Sequence, residues 1–181
     1  MAFAFTPCPL DGLYEIQPEI YGDNRGYFLE SYSEREFNAA GITYHFVQDN
    51  QSLSGKGTLR GLHFQKKNPQ GKLVRVIEGE AFDVAVDMRH DSPTRGQWHS
   101  VILCGKKQNQ FYIPPGFAHG FLALTDSTIV SYKCTDFYYP EDEGGIIWKD
   151  PVIGIKWPDI GMEYTLTEKD KTWPSWEVLS H

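Results

Sequence analysis

Between Gly71 and Gly145 turn-forming residues cut the sequence at short intervals, which leaves room for strands but not for long helices. Gly71 opens a run over residues 72–77, and Gly79-Glu80 turns the chain into residues 82–87, where Phe82, Val84 and Val86 fall on one face. Further strand candidates cover residues 98–103, 110–113, 120–124 and 128–133. They are separated by Pro93-Thr94-Arg95-Gly96, Pro114-Pro115-Gly116 and Glu143-Gly144-Gly145. The one helix signal is short: Ser33-Glu34-Arg35-Glu36 reads as a capping box, with Gly41 placed to close the helix. Many short strands with almost no helix imply an all-β sandwich, jelly roll or barrel.

A chain of 181 residues with no repeat, low-complexity tract or linker predicts a single domain over residues 1–181. Its 40% hydrophobic and 14% aromatic content excludes a disordered or fibrous protein. No apolar run approaches the ~20 residues that cross a membrane, and the N-terminus lacks the basic start and apolar core of a signal peptide. Cys8, Cys104 and Cys134 are scattered and odd in number, which suits a reducing cytoplasm. A net charge of −7 argues against bulk binding to nucleic acid, but it allows one anionic ligand held by a few local cations.

Four stretches are more polar and specific than strands and turns require. Gly22-Asp23-Asn24-Arg25-Gly26 places a cation in a glycine-flanked turn ahead of the aromatic run Tyr27-Phe28-Leu29-Glu30. Alone, Arg25 reads as a solvated turn residue. Gln48-Asp49-Asn50-Gln51-Ser52 carries many donors and acceptors and alone reads as a polar loop; its Asn50-Gln51-Ser52 triplet matches a glycosylation acceptor of a kind that arises often by chance. In Arg60-Gly61-Leu62-His63-Phe64-Gln65, simple alternation puts Arg60 and Leu62 on one face and Gly61, His63 and Gln65 on the other. His63 there is either a hydrogen-bonded core histidine or a general base, since imidazole titrates near neutrality. Pro115-Gly116-Phe117-Ala118-His119-Gly120-Phe121 holds a second histidine in an aromatic, glycine-rich setting.

Metal-binding barrels of the cupin class use His-x-His with a carboxylate and a further histidine. Here the residue two after His63 is Gln65, and no His-x-His occurs in the chain. Two imidazoles without a paired carboxylate are a poor ligand set, so no metal is expected.

Taken in order, these stretches resemble one family. Residues 22–30, Phe46-Val47-Gln48-Asp49-Asn50, Leu59-Arg60-Gly61-Leu62-His63-Phe64-Gln65, Gln70-Gly71-Lys72-Leu73-Val74-Arg75, Phe82-Asp83-Val84-Ala85-Val86-Asp87, residues 113–121 and Tyr132-Lys133-Cys134-Thr135 together are similar to the dTDP-4-dehydrorhamnose 3,5-epimerases. The resemblance runs from about residue 10 to Asp170. It implies a cupin-type jelly roll with few short helices, a homodimer with shared N-terminal strands, and no metal or organic cofactor.

It also implies a reaction. The family's substrate is a nucleoside-diphosphate 4-keto sugar whose C3 and C5 protons both lie α to the carbonyl. Inversion needs a base on one face, an acid on the other, and a cation or donor at the enolate oxygen. By motif match the base is His63, the acid is Tyr132, and Lys72 lies near the C4 oxygen. The orienting carboxylate is Asp170, from Leu166-Thr167-Glu168-Lys169-Asp170, with Asp83 the competing partner. Arg25 and Arg60, assisted by Lys169, match pyrophosphate-binding cations. Glu30, Gln48, Asn50 and Glu143 match nucleotide or sugar contacts, Tyr138 matches an aromatic stacked on thymine, and His119 is an active-site histidine of unspecified role. Trp173-Pro174-Ser175-Trp176 has no assigned task beyond covering apolar surface or a subunit contact. Rival readings are a C3-only or C5-only epimerase, a ketoisomerase of a related sugar nucleotide, and a sugar-binding cupin without turnover.

Overall fold

The structure, a computed structural model, describes residues 2–179. The chain begins with strands β1 (Phe3–Pro7) and β2 (Tyr14–Pro18), then a hairpin of β3 (Ile20–Asp23) and β4 (Gly26–Leu29), then helix α1 (Glu34–Ala39). Strands β5 (Gln48–Ser54), β6 (Leu59–Gln65), β7 (Lys72–Glu78), β8 (Glu80–Asp87) and β9 (Trp98–Cys104) follow. After them come β10 (Gln110–Ile113), β11 (Phe117–Ala123), β12 (Thr128–Cys134), the short β13 (Glu143–Gly145), and single-turn helices α2 (Glu168–Lys171) and α3 (Trp176–Leu179).

These strands form a six-stranded sheet in the order β1-β2-β10-β7-β12-β5, and a five-stranded sheet in the order β13-β6-β11-β8-β9. All pairings within them are antiparallel, and the two sheets face each other as the expected jelly roll. Val74, Val76, Phe111, Ile113 and Val130 of one sheet pack against Ala81, Ala85, Val101, Leu103, Phe117 and Phe121 of the other. Each large side chain buried there contributes about 1.5–3 kcal/mol. That apolar packing does not occupy the whole space between the sheets, and the remainder is lined by polar side chains.

Both outer faces are partly covered. Phe37 of α1, 0% exposed, packs with Ile42 on Phe3, Ile16, Leu73 and Tyr112. The helix lies where the capping box predicted, although Ser33 makes no side-chain cap bond. On the other sheet, Leu59, Leu62, Phe82, Val84, Val86 and Leu122 are covered by Ile146, Ile153 and the aromatic residues Trp148, Trp157, Tyr164 and Trp176. The single face predicted for Phe82, Val84 and Val86 is therefore the outward one, and it is buried by the C-terminal segment.

Backbone bonds tie that segment to β6. Leu59 N donates to Thr165 O at 3.0 Å and Ile146 N to Leu62 O at 3.0 Å, while Ile147 N donates to Pro174 O at 3.0 Å within the segment.

Three local expectations are corrected. The polar stretch 48–52 is a strand: Gln48, Asn50 and Ser52 alternate with exposed Asp49, Gln51 and Leu53, because pairing with β12 satisfies its backbone. Glu143-Gly144-Gly145 is also a strand, paired with β6. Strand β11 begins at Phe117 rather than Gly120, its early residues being paired with β8.

Candidate active site

The alternation expected in β6 does not hold. His63 pairs with His119, but Arg60 pairs with Phe121, so three steps along β6 match two along β11. This irregularity turns Arg60 to the same side as His63, and both line one cavity. Gly61 allows it. Its φ is +129°, and a Cβ there would stand 2.5 Å from the Gly120 Cα.

Two adjoining cavities share His63, Lys72 and Tyr132. One, of about 310 Å³, is also lined by Arg60, His119, Phe121, Lys169 and Asp170. The other, of about 290 Å³, adds Gln48, Asn50, Gln65, Tyr138 and Glu143. The sheet register explains the gathering. Tyr132 lies opposite Asn50 on one side and Val74 on the other, so it shares the inner face with Lys72, Asn50 and Gln48.

His63 Nε2 is 2.5 Å from Asp170 Oδ1, while His119 Nε2 lies 2.9 and 3.0 Å from the Asp83 carboxylate oxygens. The competition between Asp170 and Asp83 is thereby decided, with Asp170 on His63 and Asp83 on His119. Among the described residues His63 Nδ1 takes no protein hydrogen bond. Thr167 caps α2 by accepting from the Asp170 backbone N–H at 3.2 Å.

Burial pushes the Asp170 carboxyl up, but hydrogen bonds from His63 and neighbouring side chains outweigh it and hold the group below the usual carboxylate range. Burial lowers the Lys72 ammonium, against the pull of Cys134, Asp83 and Glu143. Burial likewise lowers His119, against Asp83, which favours a neutral ring there. The Tyr132 phenol is raised, chiefly by burial, and keeps its proton through neutral pH. Lys72 Nζ sits 5.9 Å from the centroid of that ring.

At the rim, Tyr138 Oη donates to Glu143 Oε2 at 2.7 Å, and Lys169 Nζ pairs with the same oxygen. Burial pushes the Glu143 carboxyl up, yet these two donors prevail and lower it. Gln48 Oε1 accepts from the Tyr138 backbone N–H at 3.0 Å and Gln48 Nε2 donates to Asn50 Oδ1 at 3.1 Å, so the rim is prearranged. Arg60 donates to Ser54 Oγ and Leu53 O and has no carboxylate partner among the described residues.

Eleven of the thirteen expected residues thus converge: His63, Tyr132, Asp170, Lys72, Gln48, Asn50, Arg60, His119, Tyr138, Glu143 and Lys169. Arg25 and Glu30 do not. Arg25 sits at the tip of the exposed β3–β4 hairpin, folded onto Asp23, and lines neither cavity. Glu30 follows the hairpin and is exposed. Sequence reasoning missed Trp173, whose Nε1 donates to Asp170 Oδ1 at 3.2 Å; no local pattern signals it. Among the described residues no group of three or more His, Cys, Asp or Glu is arranged to hold a metal ion.

The sequence model of the dTDP-4-dehydrorhamnose 3,5-epimerases matches residues 7–177. A dTDP-4-dehydrorhamnose 3,5-epimerase of Methanothermobacter thermautotrophicus is 54% identical over 172 residues, 94% of this chain and 93% of that protein. The crystal structure of dTDP-6-deoxy-D-glucose-3,5-epimerase from Legionella pneumophila, in complex with dTDP-4-keto-L-rhamnose, superposes with a TM-score of 0.94 at 48% identity, covering 97% of this chain and 94% of that one. A 3′-monoepimerase from Streptomyces bikiniensis, in complex with dTDP-quinovose, gives 0.87 at 32% identity, covering 93% and 86%. With its match spanning nearly the whole chain and relatives at about half identity, this protein belongs to the dTDP-4-dehydrorhamnose 3,5-epimerase family.

Proposed function

We propose that this isomerase inverts both C3 and C5 of dTDP-4-dehydro-6-deoxy-D-glucose to give dTDP-4-dehydro-L-rhamnose, a step of dTDP-L-rhamnose biosynthesis. The observation that carries the reading is the His63–Asp170 pair set in cavities that also hold Lys72 and Tyr132. A binder without turnover has no use for an oriented imidazole and a protonated phenol in the same cavities.

In this reading His63 Nδ1 removes the proton α to the C4 ketone, and Asp170 stabilises the resulting imidazolium. The electron pair moves onto the C4 oxygen. There the Lys72 ammonium, in a site sheltered from water, stabilises the enolate more than it would in bulk solvent. Tyr132 returns a proton to the opposite face of the carbon, which inverts it. The same three groups serve C3 and C5, because both carbons flank one carbonyl, once His63 has released its proton to solvent and Tyr132 has taken one back. No cofactor is required, since the ketone itself supplies the acidity.

Arg60 is read as a pyrophosphate ligand because its guanidinium has no carboxylate to satisfy it. Tyr138 is read as the thymine platform, and Gln48, Asn50, Glu143 and Lys169 as the rim that orients nucleotide and sugar. His119, buried against Asp83, is read as a neutral wall of the cavity beside Tyr132, with ring centroids 6.5 Å apart.

Arg25 and Glu30 are read as belonging to a partner's pocket. Tyr21, Tyr27 and Phe28 of the same hairpin are 53–69% exposed, an apolar surface that a second copy of this chain would cover. Three free cysteines support a cytoplasmic setting, and no helix among the described residues is long and apolar enough to cross a membrane.

The test is incubation with the 4-keto sugar nucleotide in deuterium oxide, read by NMR. Label at both C3 and C5 is expected. Label at one carbon only would reduce the activity to that of a monoepimerase.

A further inference from the structure

We infer that Trp173 is a positioning residue for this reaction: its indole N–H anchors the Asp170 carboxylate against His63, and its ring roofs the pair. The inference rests on the reading of His63 as the base. Trp173 Nε1 and His63 Nε2 meet the same oxygen, Asp170 Oδ1, at 3.2 and 2.5 Å. Two donors on one oxygen restrict the carboxylate far more than one, because rotation about its last torsion then breaks both bonds. The indole also stands edge-on to the imidazole, with centroids 6.0 Å apart at 69°.

Lys169 and Gly145 both lie against the indole. Lys169 Nζ lies over it at 5.2 Å. Next to it is Gly145, the β13 residue paired with His63, where a Cβ would stand 2.4 Å from the ring. The space for the indole therefore exists only because residue 145 lacks a side chain. Trp173 is not among the residues lining either cavity, so it reaches the chemistry through Asp170 rather than through substrate.

The indole donor draws on the charge of the oxygen that also holds the imidazolium. That donor is one of the bonds that hold the Asp170 carboxyl below the usual carboxylate range, so without it the carboxyl rises and is fully ionised only at higher pH.

The test uses the full-length enzyme and Trp173→Phe, which keeps the aromatic body and deletes the donor. The expected result is a kcat about tenfold lower, the scale of one hydrogen bond to a charged group, with KM and melting temperature near wild type. The acid limb of kcat/KM should move to higher pH. Gly145→Ala should lower kcat similarly in the wild type and add little in a Trp173→Ala background, where no indole is left to displace. An unchanged rate and acid limb in Trp173→Phe, or a loss that tracks melting temperature alone, would overturn the inference. His63→Asn distinguishes the two levels: if that variant stays active, the base assignment fails, whereas an inactive His63→Asn beside an unaffected Trp173→Phe removes only the role of Trp173.

Discussion

His63 and His119 stand opposite each other across the β6–β11 ladder, yet each is bonded to its own aspartate, His63 to Asp170 and His119 to Asp83. The pairs differ in exposure. The His63 side chain is 32% exposed at the cavity, whereas that of His119 is 7% exposed. An imidazole that must exchange protons with a ligand needs access, and one that braces the wall does not.

His63→Asn should lower deuterium exchange at the substrate carbons by about 10²–10⁴-fold, the usual contribution of a general base. Asp83→Ala should appear mainly in thermal unfolding, because it strands the buried His119 ring without its acceptor, at a cost of about 1–3 kcal/mol. Rate assays and calorimetry on the two variants should separate these effects. A fully active His63→Asn would remove His63 as the base.

Tyr132→Phe should uncouple exchange from inversion. Protonated His63 can still return a deuteron to the face from which it took the proton, so label enters without a change of configuration. NMR of the recovered substrate should then show label in unreacted material and little epimerised product. Product formed at the wild-type rate would exclude the phenol as the acid.

If the hairpin completes a partner's pocket, two inactive variants should rescue each other. In a mixture of Arg25→Ala and His63→Asn chains, half the dimers are mixed, and each of these holds one pocket with both native residues. About a quarter of wild-type activity should return. A mixture no more active than its components, under conditions where subunits exchange, would place Arg25 outside the site.

The loop after β8 should set the acid stability. Burial pushes the Asp87 carboxyl up, but bonds from Arg89, Ser92 and Thr94 overcome it and hold the group at about 2. The folded value lies below the ordinary one, so this contribution is present above about pH 4 and is lost as the pH falls towards 2. It amounts to about 2 kcal/mol, since each tenfold change in proton affinity between the folded and unfolded chain is worth about 1.4 kcal/mol. Asp87→Asn should lower stability at neutral pH and flatten the acid limb of an unfolding series; an unaltered limb would show that other carboxylates dominate.

The all-β character was legible because turn residues fall between short runs, and β7, β8, β9, β10 and β12 lie close to where that punctuation puts them. Strand β5 was not legible, since side chains as polar as Gln48 and Asn50 become a strand only when β12 satisfies their backbone. The shared side of Arg60 and His63 was hidden for a similar reason: alternation assumes a regular ladder, and the irregularity depends on how closely Gly61 approaches Gly120. Trp176 does cover apolar surface, as one reading of the tail expected, whereas the bond from Trp173 to Asp170 had no local signal.

By itself, the sequence determined the class of fold and, through the order of its motifs, a resemblance that named His63, Lys72, Tyr132 and Asp170. Both are properties that neighbouring residues, or residues compared one by one with a family, can carry. Only the tertiary structure decided which aspartate serves which histidine. Asp170 is 107 positions from His63, and what brings them together is the packing of the C-terminal segment on the outer face of β6 and β8. That apolar burial leaves no periodic trace around Asp170, where the chain is a single capped turn. The His63–Asp170 pair is therefore a consequence of how two distant apolar surfaces meet, which no window along the chain contains.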